Sequence, residues 1–285
     1  MTHIPRTADA SAQHFIKEAL QVTFARYTLP PSIAPELASA LFAPRDTDEH
    51  YEDQVQTAVR DARLPEVFAA YDKERSMDTR FHYFNTYIHG PVVADIGCGS
   101  GKIASKLQAI PGVSAVIGTD IQNYIDPSAA SQIDFRLETS PDTLPIDSSS
   151  VDTVVVSYVL HHVEKDTRSR LIQELYRCLT PTGRLVVLED TYSMTIPPAE
   201  QSILLTDFLA LPEESKQVVL SYSDWLANVI FRHTEMTFPF SFEPIETWIS
   251  SFDEHGFSTE ATNFIGIPAT SFFFSPRAVL VFSKK

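Results

Sequence analysis

From Pro91 onward the chain alternates short, unbroken apolar runs with helical segments, and this alternation restricts the possible folds more than any other feature. The runs are Val92-Val93-Ala94, Ala115-Val116-Ile117, Val154-Val155-Val156 and Leu185-Val186-Val187-Leu188. Runs rich in β-branched residues and lacking polar alternation suit strands covered on both faces, as in a parallel sheet with helices above and below. Between the last two runs, Leu171, Ile172, Leu175, Tyr176 and Leu179 share one helical face. The following Thr180-Pro181-Thr182-Gly183 puts Pro and Gly at the second and fourth places of a type I turn. Strand, helix and strand in that order make a β-α-β unit.

The flanking sequence has other periods. Residues 1–88 repeat apolar positions at helical spacing (Ile16, Leu20 and Phe24, then Ile33, Leu37 and Leu41), with Pro30, Pro31, Pro35 and Pro44 marking turns. They are expected to form a helical N-terminal cap region. The sheet core then occupies residues 89–190. Residues 191–244 interrupt the sheet signal and are rich in aromatic side chains, which marks an insertion. Residues 245–285 return to the sheet through a helix around Ile245 to Phe252, a turn at Gly256 and the extended run Ala278 to Phe282.

Six of the nine glycines (Gly90, Gly97, Gly99, Gly101, Gly112 and Gly118) fall within about a tenth of the chain. Between Val92 and Ala104 a strand runs into a glycine turn and then a helix, so backbone N–H groups are exposed near a helix start. A P-loop is excluded, because Ile96 and Ile103 stand where it needs Gly and Ser or Thr. A dinucleotide site remains formally open, since Gly99-Ser100-Gly101-Lys102-Ile103-Ala104 satisfies G-x-G-x-x-G/A.

The longer string Asp95-Ile96-Gly97-Cys98-Gly99-Ser100-Gly101 resembles the first motif of class I methyltransferases that use S-adenosylmethionine. The resemblance continues through Asp120, Leu144-Pro145-Ile146-Asp147 with Val151-Asp152, Leu160-His161-His162-Val163 and Thr180-Pro181-Thr182-Gly183, in the family's order across residues 92–190. Thr182 departs from the family's Lys-Pro-Gly-Gly turn. Trp248, Phe252, Gly256 and Phe257 extend the likeness toward the C-terminus. It implies an α/β fold: a Rossmann-like, mostly parallel seven-stranded sheet with helices on both faces, a helical N-terminal cap and a lid insertion. It implies S-adenosylmethionine as methyl donor and S-adenosylhomocysteine as product. Asp95 with Gly97, Gly99 and Gly101 would face the methionine end, Asp120 the ribose, Ile121 beside it would also contact the cofactor, and Ser157 would close the pocket. An acid at the Asp120 position accepts hydrogen bonds from a ribose diol and repels a 2′-phosphate. Ser140 stands where the family often has an acid for the adenine, which leaves Glu138 and Thr139 as the residues beside that ring. Glu138 is equally readable as a solvated surface acid.

Several substrate classes lose support from composition and motif. The formal net charge is −15 and the Lys and Arg form no dense run, so a nucleic-acid substrate is not expected. No apolar stretch approaches membrane-spanning length, which argues against an integral membrane protein. Two cysteines, Cys98 and Cys178, with no cationic and apolar leader, suggest the reducing cytoplasm. There is no Asn-Pro-Pro-Tyr/Phe after the fourth strand, no cysteine pair of the cytosine C5 type and no convincing metal-ligand spacing, so no metal is expected. A small-molecule acceptor methylated at O, N or C is what remains. Its general base, if the acceptor must lose a proton, would come from His161, His162 or Asp190. Its pocket would involve Tyr158, with Tyr192, Trp225 and Phe238 of the insertion, although rings at such positions also serve simply as core. A nucleotide-dependent oxidoreductase and a binding protein without turnover are the alternatives.

Overall fold

The computed structural model describes residues 4–71, 77–140, 143–231, 238–269 and 271–285. The chain divides into two compact units, residues 1–76, 198–242 and 265–276 in the first and residues 77–197, 243–264 and 277–285 in the second.

The second unit carries the sheet, except Ile265 and Gly266 at the end of one strand. Its strands are β1 (Val92–Ile96), β2 (Ala115–Asp120), β3 (Asp134–Leu137), β4 (Val151–Ser157), β5 (Leu179–Asp190), β6 (Phe257–Gly266) and β7 (Arg277–Lys284). They lie in the order β3-β2-β1-β4-β5-β7-β6. The pairs β2/β3, β1/β2, β1/β4 and β4/β5 are parallel, and β7 runs antiparallel to β5. The expected mostly parallel seven-stranded sheet is therefore present. Val93, Ala94, Val154, Val155, Val156 and Leu185 to Leu188 are all buried, as strands covered on both faces must be. After β1 the chain builds outward through β2 and β3, then returns to add β4 on the other side. That reversal leaves a crevice at the carboxyl ends of β1 and β4, where open α/β sheets bind ligands.

The Thr180 to Gly183 segment is not a turn ahead of β5 but an excursion inside it. Val151 pairs with Leu179 while Thr153 pairs with Arg184, so the residues between leave the ladder as a bulge.

The first unit is helical, with helices Ala10–Arg26, Ile33–Leu41, Asp48–Asp61, Leu64–Tyr71, Ile203–Ala210 and Glu213–Phe231. Asp9 caps the first by accepting from the Ser11 and Ala12 amides, and its other oxygen accepts from Ser215 Oγ at 2.7 Å. Phe15 packs edge-on against both Phe208 and Phe274, and Phe24 packs against Phe272. The stretch 265–276 thus supplies rings to this helical core. The sequence pattern had no signal for that, because Phe272-Phe273-Phe274 has neither helical nor strand period.

Candidate functional site

The turn after β1 is fixed to the end of β2. The Cys98 amide donates to the Thr119 carbonyl at 2.9 Å, and the Gly99 amide donates to Asp120 Oδ2 at 2.8 Å. Asp120 Oδ1 accepts from the Gln122 amide at 3.0 Å. A carboxylate offers about four acceptor positions, so Asp120 keeps capacity for two ligand hydroxyls after binding both amides. Ile121, next in the chain, is 54% exposed, and Leu137 at the end of β3 is 52% exposed. Two bare aliphatic side chains at neighbouring strand ends suit the flat face of a ring.

Three carboxyl groups converge on this turn. The Cys98 thiol is pushed up first by burial and then by Asp95, Asp120 and Glu138, which places all three acids around it. Cys98 is consequently a thiol filling space between the turn and Gly118, whose Cβ position lies 3.0 Å from its Sγ. Burial, followed by the Asp120 charge, raises Asp95 to about 7. Burial likewise raises Glu138 to about 7, although the Thr119 hydroxyl donates to it at 2.5 Å. Glu138 is thus a buried acid, and the solvated alternative is set aside. Thr139 beside it is exposed.

The residues present fit S-adenosylmethionine on two structural grounds. Asp95 Oδ2 is buried with no hydrogen-bond partner among the described residues, and an ammonium group would satisfy it. A Cβ built on Gly99 would meet nothing within 4 Å, so the space over the turn is open. The same acids disfavour the dinucleotide alternative, since a pyrophosphate would meet the Asp120 carboxylate and the partly ionised Asp95 and Glu138.

A second group of polar side chains lies at the ends of β4 and β5. Ser157 closes β4 and is half-buried. Tyr158 follows with φ +57°, and its amide donates to the Leu188 carbonyl at 2.8 Å. The 3-10 turn Leu160–His162 carries both histidines, whose ring centroids are 4.1 Å apart. His161 is buried with its Nδ1 against Glu189 Oε1, and Glu189 also accepts from the Leu160 amide at 2.9 Å and the Asp190 amide at 2.8 Å. Glu189 is therefore a fully buried acid with every partner supplied by the protein. With Nδ1–H donated to the carboxylate, His161 Nε2 is the basic ring nitrogen. Asp190 ends β5 directly opposite Arg277 of β7.

The aromatic positions of the insertion separate. Tyr192 is buried in the second unit, where its carbonyl accepts from the Ile245 amide at 2.8 Å. Trp225 and Phe238 belong to the first unit and are both buried. Trp225 stacks on Tyr51 (5.6 Å, 14°) and Phe238 on Phe240 (5.9 Å, 18°). Two features of the β4 end carry no motif: the pair of guanidinium groups on Tyr158, from Arg80 and Arg277, and the Glu189 acceptor role. Arg80 in the helix Met77–Phe84 and Arg277 at the start of β7 fall in none of the motifs read from the sequence.

Residues 94–187 match the family described as methyltransferase domain. A ubiquinone/menaquinone biosynthesis C-methyltransferase of Vibrio cholerae is 27% identical over 142 residues, 41% of this chain and 53% of that protein. An uncharacterized methyltransferase of Mycobacterium bovis is 33% identical over 100 residues, covering 35% of this chain and 40% of the relative. The tRNA (carboxymethyluridine(34)-5-O)-methyltransferase of Mus musculus is also 33% identical over 100 residues, but the match covers only 14% of its length. The chain spans about half the length of the first of these relatives and less of the other two. Among the described residues, no helix is long and apolar enough to cross a membrane.

Proposed function

We propose, for a chain whose residues 94–187 match the methyltransferase-domain family, that the protein uses S-adenosylmethionine as its methyl donor and transfers that methyl group to O, N or C of a small organic acceptor. The observation that carries this is the ring of Asp95, Asp120 and Glu138 around an open glycine turn. Such a ring favours a ligand bearing an ammonium and a sulfonium over one bearing phosphates. When bound, S-adenosylmethionine supplies an electrophilic methyl group on sulfur. Asp95 holds the ammonium end, the backbone of Gly97, Gly99 and Gly101 lies against the methionine part, and Ser157 borders it. Asp120 takes the ribose hydroxyls, Ile121 covers a ring face, and Glu138 with Thr139 borders the adenine. Where the acceptor must lose a proton, His161, His162 and Asp190 at the β4 and β5 ends are the bases at hand, with Glu189 fixing the His161 tautomer. The acidic charge of the chain supports a small acceptor over a nucleic acid.

Release of S-adenosylhomocysteine from a panel of small phenols, amines and carboxylates, run beside bulk tRNA, tests this. Turnover of a small acceptor is expected. Turnover with tRNA alone would overturn the acceptor class, and binding of NAD in preference to S-adenosylmethionine would overturn the cofactor.

Asp120→Ala is expected to weaken S-adenosylmethionine binding by about 1.5–3 kcal/mol, the range for hydrogen bonds to a charged group. The loss has two sources, the ribose contacts and the freed Gly99 amide. Calorimetry on the folded variant checks it, and an unchanged affinity removes Asp120 from the site.

Cofactor affinity should also depend on pH. Asp95 is raised to about 7 in the free protein, so it is protonated and neutral below that pH. This raised value contributes stability that is fully present below the unfolded carboxyl range and is lost as pH rises through about 7. An ammonium ligand prefers the carboxylate, so binding expels the proton. Affinity should therefore climb by up to about tenfold per unit as pH rises toward 7 and level off above it. Asp95→Asn should flatten the slope. A slope retained in that variant would transfer the role to Glu138, the other acid raised to about 7.

A further inference from the structure

Tyr158 sits in an unusual electrostatic setting. The guanidinium carbon of Arg80 lies 5.0 Å from its ring centroid, and that of Arg277 lies 5.7 Å from the same centroid. One cation on a tyrosine face is attracted by the ring, and a second one brings mutual repulsion. The other groups that act on Tyr158 are Asp190 and the phenol of Tyr83. Asp190 lies opposite Arg277 in the β5/β7 ladder and offsets that charge. Two guanidinium groups and one carboxylate leave a net charge of about +1 beside the ring, and among the described residues no ion pair of Arg80 is present to remove it.

The ring's own hydroxyl is the second observation. Tyr158 Oη is buried and has no hydrogen-bond partner among the described residues. Burial raises this phenol to about 12, so at neutral pH it is a proton donor in need of an acceptor. The third is the backbone: Tyr158 holds φ +57°, which is strained for a residue with a side chain and tends to occur where function fixes an orientation. Tyr158 directly follows the end of β4, a strand that borders the ligand crevice.

We infer that this cluster is an anion subsite, and that the acceptor bears a carboxylate held by Arg80 and the Tyr158 hydroxyl, with Arg277 reinforcing the positive field. This rests on the methyltransferase reading only in calling the anion an acceptor. A singly charged carboxylate matches the net charge of the cluster and can take a forked pair of N–H bonds from a guanidinium. A phosphate monoester carries more negative charge than the cluster balances.

The test is calorimetric titration of the full chain with sodium benzoate, its neutral isostere benzamide and phenyl phosphate, each with and without S-adenosylhomocysteine. Benzoate should bind, benzamide should not at comparable concentration, and phenyl phosphate should bind more weakly than benzoate. Arg80→Gln, folded by circular dichroism, should lose about tenfold in benzoate affinity, as expected for one charge-assisted contact, and Arg80→Lys should recover part of it. Tyr158→Phe should lose affinity while keeping both cations. The inference is overturned if benzamide equals benzoate, if Arg80→Gln binds benzoate as the parent does, or if benzoate fails to bind at millimolar concentration. Preference for phenyl phosphate would replace the carboxylate by a phosphoryl group. Failure of S-adenosylhomocysteine to bind would sink the cofactor assignment alone, because the titrations without it still report on the Arg80 site.

Discussion

Gly99→Val is expected to leave a folded protein that no longer binds S-adenosylmethionine, a loss of at least about a hundredfold, or ~3 kcal/mol. The three glycines of the turn differ in what surrounds them. A Cβ on Gly97 would sit 2.4 Å from Val159 Cγ2, and one on Gly101 would sit 2.4 Å from Ile125 Cδ1. Substitution at either collides with the protein itself and tests packing. At Gly99 nothing lies within 4 Å, so an added side chain meets only the space a ligand would fill. The cost to folding is then limited to the backbone, φ +52°, where a non-glycine residue loses about 1–2 kcal/mol. The Gly99 amide that holds Asp120 also shifts if that strain is relieved. Calorimetry with S-adenosylmethionine, beside a thermal melt, separates the two effects. A variant that melts within a few degrees of the parent and still binds the cofactor normally would show that the open space over the turn belongs to something else.

How much of this was legible in the sequence follows from which residues are covered on both sides. The runs at Val92, Ala115, Val154, Leu185 and Ala278 became β1, β2, β4, β5 and β7, because interior strands must be apolar on both faces. β3 and β6 gave no run, and both are edge strands of the sheet. Asp134-Phe135-Arg136-Leu137 has no fully buried residue, and β6 carries exposed Thr259 and Glu260 in its middle. An edge strand of mixed polarity does not stand out from a loop. The glycine turn and Asp120 were readable because local geometry demands glycine and a strand end demands a short polar residue. The fates of Glu138 and Glu189 were not, since both depend on donors brought from elsewhere in the chain: the Thr119 hydroxyl in one case, the Leu160 amide and His161 in the other. A buried acid and a surface acid look alike until their partners are assembled. Trp225 and Phe238 show the opposite limit. Their aromatic character was visible, but their stacking on Tyr51 and Phe240 is a tertiary matter.

Glu189→Ala is expected to destabilise the protein by about 3–5 kcal/mol, the range for removing one partner of a buried charged pair. Glu189 is 0% exposed and its two oxygens gather three donors: the Leu160 amide at 2.9 Å, the Asp190 amide at 2.8 Å and His161 Nδ1. These donors come from the end of β5 and from the turn after β4, so one carboxylate ties together two adjacent strand ends at the ligand edge of the sheet. Alanine leaves all three without an acceptor in a place where water does not reach, and each orphaned donor costs about 1–3 kcal/mol before relaxation. It also leaves a cavity where the carboxyl group stood. Glu189→Gln preserves the shape and one carbonyl acceptor, yet its amide nitrogen faces a donor wherever it is placed, so an intermediate loss is expected. The measurement is the urea midpoint of each variant against the parent, with the slope compared to confirm that the same surface unfolds. If Ala and Gln both unfold within about 1 kcal/mol of the parent, the carboxylate is not the fastening between β4 and β5. Its contact with His161 would then be one the protein keeps for the acceptor's proton rather than for stability.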